Sequence, residues 1–351
     1  MSDHLARFSY DTRAVRVVFS AGALARLPGE LDREGLRRVL LLTTPGRARH
    51  LDAVVSLMAS RLGGTFAGAR QHVPAEAVRT AMDVVARVTP DACLTMGGGS
   101  AIGMGKAIAQ KTGLPLIAIP TTYSGSEMTA IWGVSDGLTK RTGRDPRVAP
   151  QLVIYDPELT YDLPAGVSAA SGMNAIAHCV EAAWAPDASP VSNLLAWDGL
   201  RRLADSLPGI MKAPGDADAR AEALTGAHLA GRALDMTTMG LHHRLCHVLG
   251  GSFGLPHAET HAALLPCVTA FNAAAAPEAM ARIAAALRAD DAVSGLVDLT
   301  RILGTPKLKD LGFTAEQIPQ AASLAIATPI ANPRPVDEAG VRAVLEDALS
   351  A

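Results

Sequence analysis

The sequence predicts a chain of two parts, an α/β half with a mostly parallel sheet followed by an all-helical half. Before about residue 155, short apolar runs alternate with amphipathic helical segments, which is the pattern of a parallel sheet covered by helices. After that point the strand patterns end, and long Ala- and Leu-rich helical patterns follow. A chain of 351 residues also exceeds the usual size of one core. We therefore expect two domains, residues 1–160 and 161–351.

Each element follows from its local pattern. Helical spacing of apolar residues marks segments 22–35 and 76–88 in the first half, and segments 192–207 and 217–234 in the second. Short apolar runs bounded by Gly, Pro and Thr read as buried strands. The predicted strands occupy residues 15–22, 38–44, 92–99, 114–122 and 151–157.

Composition excludes several classes of function. A formal net charge of −2 gives no general attraction to nucleic acid or to an anionic membrane. No apolar run approaches the roughly 18 residues that span a bilayer, and the start, "MSDHLARFSYDTR", lacks the apolar segment of a signal peptide. We expect a cytoplasmic protein without nucleic-acid or membrane partners. Four cysteines without C-x-x-C spacing read as reduced structural thiols.

A glycine cluster follows the third predicted strand and precedes a helix. Gly97, Gly98, Gly99 and Ser100 let the backbone approach a phosphate, and the helix start offers free N–H groups. The alternative is a tight turn that only relieves strain. The position between strand and helix favours phosphate binding, although the segment is neither a P-loop nor a G-x-G-x-x-G fingerprint.

A second polar loop, "IPTTYSGSEMT", follows the next strand. Its Thr121, Thr122 and Ser124 have the chemistry to bind a ribose, an amide or a phosphate, or simply to cap the following element. Two polar loops at the carboxyl ends of parallel strands converge on the ligand crevice of an open α/β sheet. The sequence therefore predicts a dinucleotide site.

Histidines concentrate in "GLHHRLCHVLGGSFGLPH", residues 240–257. His243 and His247 are four residues apart and share one helix face, as do Asn174 and His178 on an earlier helix, and His257 follows a glycine-interrupted segment. A single histidine on a helix is more often a packing residue. Three segments that each offer such groups predict a shared cleft, in which imidazoles bind a metal, transfer protons or bind an anionic substrate.

Long, ordered motifs then carry a resemblance to a known family. They are "GGGSAIGMGKAIA", "IPTTYSGSEMT", "TKRTGRDPRVAPQLVIYDPELT", "SGMNAIAHCVEA", "GLHHRLCHVLGGSFGLPHAETHA" and "NPRP". Over nearly its whole length the chain resembles the iron-containing (group III) alcohol dehydrogenase superfamily. The resemblance implies a Rossmann-like dinucleotide-binding domain, a helical domain of the dehydroquinate synthase-like kind, and an active site between them. It also implies a homodimer.

Within the superfamily, the chain is most similar to members that reduce the carbon–carbon double bond of maleylacetate to give 3-oxoadipate with NAD(P)H. In the metal-dependent members, the positions matching Asn174, His178, His243 and His257 hold the ion. Asn174 stands where those members have a carboxylate, and a neutral amide holds a divalent cation far less well. We therefore expect no required metal. The alternative is a metal-dependent alcohol or polyol dehydrogenase of the same superfamily.

The resemblance also implies roles for side chains. We expect His178 and His243 to hold substrate oxygens, His257 to share that role or donate a proton, and His247 to lie beside the nicotinamide or the substrate. Asn174 completes this catalytic set.

The substrate implied is a dicarboxylate, so cations are expected near the cleft. The predicted substrate-binding residues are Arg244 and Tyr123, with further candidates in the cluster Lys140, Arg141, Arg144 and Arg147, of which Lys140 is assigned to the cofactor ribose. Asn332 or Arg334 of "NPRP" is expected to close over the substrate.

Cofactor choice depends on the end of the second strand. Thr43 and Thr44 stand where members that prefer NAD often carry an Asp for the adenosine ribose, and Arg47 and Arg49 follow. NADH is the first choice, and without the carboxylate NADPH is the alternative.

Overall fold

A computed structural model describes residues 8–45, 48–137 and 139–351. Its first half contains a six-stranded parallel sheet with the strand order β1-β8-β5-β4-β2-β3. The strands are β1 Arg16–Phe19, β2 Val39–Thr43, β3 Leu62–Phe66, β4 Ala92–Gly97, β5 Leu116–Pro120 and β8 Leu152–Tyr155.

Helices cover both faces of this sheet. Strands β2, β4, β5 and β8 are fully buried, which explains why they read as continuous apolar runs rather than as alternating ones. Residues of the sheet enter two apolar clusters of the α/β half, and Ala118, Val153 and Tyr155 join the main cluster of the helical half. The covering helices are α1 Leu27–Arg33, α2 Ala48–Met58, α3 Ala75–Val88 and α4 Gly99–Thr112.

Three strands were not predicted. Strand β3 contains Gly63 and Gly64, which weaken a strand pattern, but a Cβ at either position would lie within 2.9 Å of Val88, so the helix packs where only glycine fits. The other two form an antiparallel hairpin whose strands are only partly buried or exposed, so no apolar run marks them. They are β6 Ile131–Asp136 and β7 Thr139–Arg144.

The second half is helical, as predicted. Its central helix is buried along nearly its whole length and packs against five others. No helix among the described residues is both long and apolar enough to cross a bilayer. The helices are α5 Ala165–Ala183, α6 Pro190–Lys212, α7 Ala217–Asp235, α8 Leu241–Ser252, α9 His257–Asn272, α10 Pro277–Leu287, α11 Ala292–Leu303, α12 Ile318–Ile326 and α13 Glu338–Ser350.

The predicted fold class is confirmed: a parallel α/β half precedes an all-helical half. Division of the chain at residue 160 stays a prediction. A cleft of about 620 Å³ lies where the carboxyl ends of β4 and β5 meet the helical half. Residues of both halves line it, and this cleft is the candidate site.

Candidate active site

The α/β wall of the cleft presents mainly backbone. Gly98, Gly99 and Ser100 line the cleft at the start of α4, where free N–H groups and the positive end of the helix dipole favour an anion. A Cβ at Gly98 would lie 2.7 Å from Thr122 Oγ1, so only glycine fits beside the second loop. Gly97 is buried in β4 with φ +146° and shapes the turn without lining the cleft.

The second loop divides its side chains between the cleft and the core. Thr122 and Ser124 line the cleft, whereas Thr121 is fully buried. The prediction that Tyr123 binds substrate is wrong. Its ring is fully buried in the core of the helical half, and its hydroxyl accepts a hydrogen bond from the buried Arg220 guanidinium at 3.0 Å.

A buried lysine fixes this loop to α4. Lys106 Nζ donates to Ser126 O at 2.7 Å, to Thr129 Oγ1 at 2.8 Å and to Ile131 O at 2.8 Å. Burial lowers the pKa of Lys106 to about 7. Sequence analysis did not single out this residue, which couples the helix at the glycine cluster to the loop that carries Ser124.

The helical wall begins with one face of α5. Asn174 and His178 are nearly buried, and both contact the Ser124 carbonyl, Asn174 Nδ2 at 3.5 Å and His178 Nε2 at 3.2 Å. Glu181 follows at the next helical turn, so positions i, i+4 and i+7 form one polar stripe. That spacing was the available signal for Glu181, which sequence analysis missed.

Glu181 is fully buried at the start of α8. Its carboxylate accepts hydrogen bonds from the backbone N–H groups of Gly240 at 3.2 Å, His242 at 2.8 Å and His243 at 3.3 Å. These are donors that a helix start leaves unpaired. The same carboxylate lies 2.6 Å from His243 Nδ1. Burial raises the pKa of Glu181, and the backbone donors oppose that rise.

A hydrogen-bonded chain therefore crosses the helical wall. His243 Nε2 lies 2.8 Å from His178 Nδ1, which extends the chain from Glu181 through His243 to His178. Burial lowers the pKa of His243 to about 3 and holds the pKa of His178 well below its usual range. Both imidazoles are thus neutral near pH 7 and act through their N–H groups and lone pairs.

Four further histidines lie around this chain. His247 and His257 line the cleft with stacked rings, whose centroids are 6.2 Å apart. His242 and His261 are fully buried behind them. His242 Nε2 donates to the His261 carbonyl at 3.0 Å, while neither ring nitrogen of His261 has a hydrogen-bond partner among the described residues.

The positions that the resemblance matches to metal ligands offer three imidazoles but no carboxylate. His178 Nδ1 and His243 Nε2 bind each other, and Asn174 supplies only a neutral amide. Glu181, the carboxylate next to this cluster, lies behind His243. The imidazoles whose nitrogens do converge within 4.8 Å, those of His242, His243 and His261, are a different and buried set.

The predicted cationic residues mostly lie elsewhere. The prediction for Arg244 is wrong: its guanidinium binds Thr328 Oγ1 and does not line the cleft. Arg144 does line the cleft, held by the Asp235 carboxylate at 3.1 Å. Arg147 pairs with Asp145. Arg141 is exposed, and the side chain of Lys140 lies outside the described residues.

The "NPRP" segment packs against the helical half and does not line the cleft. Asn332 Oδ1 accepts from the Leu241 backbone N–H at 3.4 Å, and its Nδ2 donates to Asn272 Oδ1 at 2.7 Å. Arg334 packs over the Phe271 ring at 4.1 Å. Both side chains hold the C-terminal segment against α8 and α9, and the closing role stays a prediction.

At the adenosine end, Thr44 lines the cleft and Thr43 is buried at the end of β2. Arg47 and the side chain of Arg49 lie outside the described residues.

Comparison with known proteins identifies the family. Residues 14–157 match the model described as iron-containing alcohol dehydrogenase, and residues 168–349 match the C-terminal model of the Fe-containing alcohol dehydrogenase family. The chain is 47% identical over 342 residues to a maleylacetate reductase of Burkholderia cepacia, covering 97% of each chain. A maleylacetate reductase of Sphingobium indicum is 43% identical over 344 residues, 98% of this chain and 97% of that one.

A solved structure agrees in shape as well as in sequence. The maleylacetate reductase of Agrobacterium tumefaciens matches with a TM-score of 0.93 at 42% identity, over 99% of each chain. The resemblance noted from the motifs is confirmed. The chain belongs to the iron-containing alcohol dehydrogenase family.

Proposed function

We propose that this protein is an oxidoreductase that reduces maleylacetate to 3-oxoadipate with a nicotinamide cofactor, in the breakdown of aromatic compounds. One geometric observation carries the proposal: neutral, hydrogen-bonded histidines face a glycine-lined phosphate site across a single cleft. Full-length similarity to maleylacetate reductases supports the choice of substrate.

The reaction sets two tasks for the protein. Hydride from nicotinamide C4 adds to the alkene carbon β to the ketone, and the electron pair of the double bond moves to form an enolate. A proton must then reach the carbon next to the ketone, so that the sum is addition of one hydride and one proton. Donors aimed at the enolate oxygen in a water-poor cleft lower this barrier.

The chain of Glu181, His243 and His178 suits the proton step. One proton lies in the contact between Glu181 and His243, and another lies in the contact between His243 and His178. Each proton can reside on either partner, so the chain has two protonation arrangements. In one, Glu181 carries a proton and His178 Nε2–H points to the cleft and the Ser124 carbonyl. When Nε2 gives its proton to the enolate, His178 takes one from His243 and His243 takes one from Glu181. The carboxylate that remains is held by three backbone N–H groups.

His257 and His247 line the same cleft, and we assign them to the substrate oxygens, with His247 beside the nicotinamide. Asn174 Nδ2 donates to the same Ser124 carbonyl as His178 Nε2, at 3.5 Å, and so helps to fix the acceptor that orients the His178 ring. Arg144, at the end of β7 in the α/β half, is an exposed cation that lines the cleft and is the candidate for a substrate carboxylate.

The cofactor is proposed to place its diphosphate at Gly98, Gly99 and Ser100, and its nicotinamide near Thr122, Ser124 and the histidines. Lys140 stays assigned to the ribose, as in the resemblance. NADH stays the first choice, and NADPH remains the alternative because Thr43 and Thr44 carry no carboxylate that would repel a 2′-phosphate. Steady-state KM values for both cofactors decide between them.

We also propose that no metal is required. The description of the family as iron-containing does not support this proposal, but the neutral Asn174 and the bond between His178 and His243 do. Turnover of maleylacetate with NADH is measured before and after exhaustive treatment with chelator, with metal content determined for each sample. Loss of activity that returns on adding iron or zinc overturns the proposal.

The second candidate, a metal-dependent alcohol or polyol dehydrogenase, is favoured by the family description alone. It predicts oxidation of alcohols with NAD⁺ in the presence of added metal and no consumption of maleylacetate. Anaerobic assays of maleylacetate with NADH and of alcohols with NAD⁺, each with and without added metal, separate the two functions.

A homodimer in the cytoplasm completes the proposal. Strand β1 is an edge strand whose Val17 and Phe19 are more than a third exposed, a surface that pairing between copies would cover. Light scattering on the purified protein tests the dimer, and cell fractionation tests the location.

A further inference from the structure

His72 reaches from the α/β half to the helical half. It lies on the loop before α3, and its Nε2 donates a hydrogen bond to the Leu255 carbonyl at 3.1 Å. Its neighbours on the loop, Gln71 and Val73, line the cleft together with it. The residue therefore touches the proposed cofactor wall and the histidine-bearing wall at once.

The backbone of this loop is held in a strained conformation. His72 has φ +61° and Val73 has φ +49°, and a left-handed φ is a true outlier for a β-branched residue. Such strain persists only where the surroundings fix it. Here Val73 N–H binds the Arg70 carbonyl at 3.2 Å, and the Val73 carbonyl accepts from Ser135 N–H at 3.1 Å.

The helical half is shaped to receive the ring. Gly250 lies inside α8, and a Cβ there would lie 2.9 Å from His72 Cε1. Glycine disfavours a helix interior relative to alanine, so its presence here needs a packing reason. The imidazole supplies one.

The contact lies directly beside a proposed catalytic residue. Leu255 stands two residues before His257, and its N–H binds the Leu249 carbonyl of α8 at 3.2 Å. The His72 ring also meets the His257 ring edge to face, with centroids 6.3 Å apart at 87°. We propose that His72 is a positioning residue. It holds His257 in place beside the cleft and keeps its own loop, before α3, at a fixed distance from the histidines of the helical wall.

The proposal rests on the proposed function for its activity readout. His72→Gly removes the imidazole and relieves the left-handed strain. We expect kcat with maleylacetate to fall about 10-fold to 100-fold, since misplacement of a reacting group by about 1 Å has effects of that size, while the KM for NADH changes less than about 3-fold. Added imidazole should restore part of kcat by filling the vacated space. His50→Ala, which alters a half-buried histidine of α2 whose Nε2 lies 3.1 Å from Asp162 and which does not line the cleft, is the matched control and keeps full activity.

Gly250→Ala provides the complementary change. In the wild-type background its methyl group meets His72, so kcat falls. In the His72→Gly background the methyl group meets no ring, so no further loss is expected. An equal loss in both backgrounds shows that Gly250 acts independently of His72 and overturns the proposal, as does full activity of His72→Gly.

A readout without substrate separates this inference from the proposed function. In protein with ¹⁵N-labelled histidine, the His257 resonances, assigned by His257→Gln, should shift in His72→Gly and stay unchanged in His50→Ala. Unshifted His257 resonances overturn the inference. If the wild type leaves maleylacetate unreacted while the resonances shift, the proposed function fails and the positioning role stands.

Discussion

The two walls of the cleft are built on opposite principles. The α/β wall offers glycines and backbone N–H groups at the start of α4, where bulk is excluded by contacts such as Gly98 against Thr122. The helical wall offers buried side chains whose polar atoms bind one another, from Glu181 to His178. The first wall should therefore be sensitive to added atoms, and the second to lost ones. Four predictions follow this contrast from the largest effect to the smallest.

Removing an imidazole from the helical wall should have the largest effect. His243→Ala interrupts the chain between Glu181 and His178, and we expect kcat to fall about 10²-fold to 10⁴-fold, the range of a lost acid–base group. Fluorescence titration should show an unchanged Kd for NADH. His228→Gln, which alters a half-buried histidine beside Tyr155 outside the cleft, is the control. A His243→Ala enzyme with near-normal kcat would remove this chain from the mechanism.

Changing the charge while keeping the shape should have a smaller effect. Glu181→Gln retains an acceptor for the α8 backbone but cannot supply the proton, so kcat should fall about 10-fold to 100-fold. The solvent deuterium isotope effect on kcat should rise, because proton delivery becomes slower. Glu181→Asp, which keeps the acid, should recover part of the rate. An unchanged isotope effect in Glu181→Gln would confine the residue to a structural role.

Adding a methyl group to the α/β wall tests the other principle. In Gly98→Ala the new Cβ meets Thr122 Oγ1, so the loop must shift where the diphosphate is proposed to bind. We expect the KM for NADH to rise about 10-fold, equivalent to about 1.4 kcal/mol of binding free energy, with kcat reduced less. In Gly98→Ala/Thr122→Ala the space is restored and the KM should recover. A KM that rises equally in both variants would contradict the steric explanation.

The smallest effect is a loss of stability in acid. Burial lowers the pKa of His242 and His228 to about 4 and that of His243 to about 3, while the unfolded chain binds these protons near pH 6.5. Unfolding therefore takes up protons below pH 6.5, and the free energy of unfolding should fall as pH drops from about 6.5 toward 4.

The raised pKa values of Glu127, about 7, and of Glu181 act in the opposite direction above pH 4.5, but five histidines with lowered pKa values outnumber these two carboxyl groups. Denaturant unfolding at pH 7 and pH 5 measures the difference, and His228→Gln should reduce the slope without altering kcat. A free energy of unfolding that does not change between pH 7 and pH 5 would mean that the imidazoles are already charged in the folded protein.

Much of this contrast was predictable from the sequence, because it resides in local patterns. The glycine cluster between strand and helix and the i, i+4 pairs on α5 and α8 depend only on chain geometry. Directions set by tertiary packing were not predictable. Tyr123 follows Thr122 in one loop, yet it turns into the helical core to bind Arg220. Arg244 follows His243, but one residue rotates a helix position by about 100°, which carries it off the cleft face.

Two further residues escaped sequence analysis for a related reason. Glu181 lies in an Ala-rich helix and gains its role only because the start of α8 meets it. His72 lies in a short loop, and its partner, Leu255, is 183 residues away. The helical spacing of Glu181 with Asn174 and His178 was visible in the sequence, but its partner in α8 was not. The contact of His72 with Leu255 leaves no periodic signal in either segment, so it is found only once the chain is folded.

The backbone cradle around Glu181 links ligand charge to solvent protons. A dicarboxylate substrate that enters the cleft favours the arrangement in which Glu181 carries a proton, because an ionised Glu181 carboxylate would repel the substrate. Loading of the ligand should therefore withdraw hydrogen ions from the medium, which an indicator dye in weakly buffered solution records as alkalinisation. The proton that the carbon next to the ketone needs would then already be bound to the enzyme before hydride transfer.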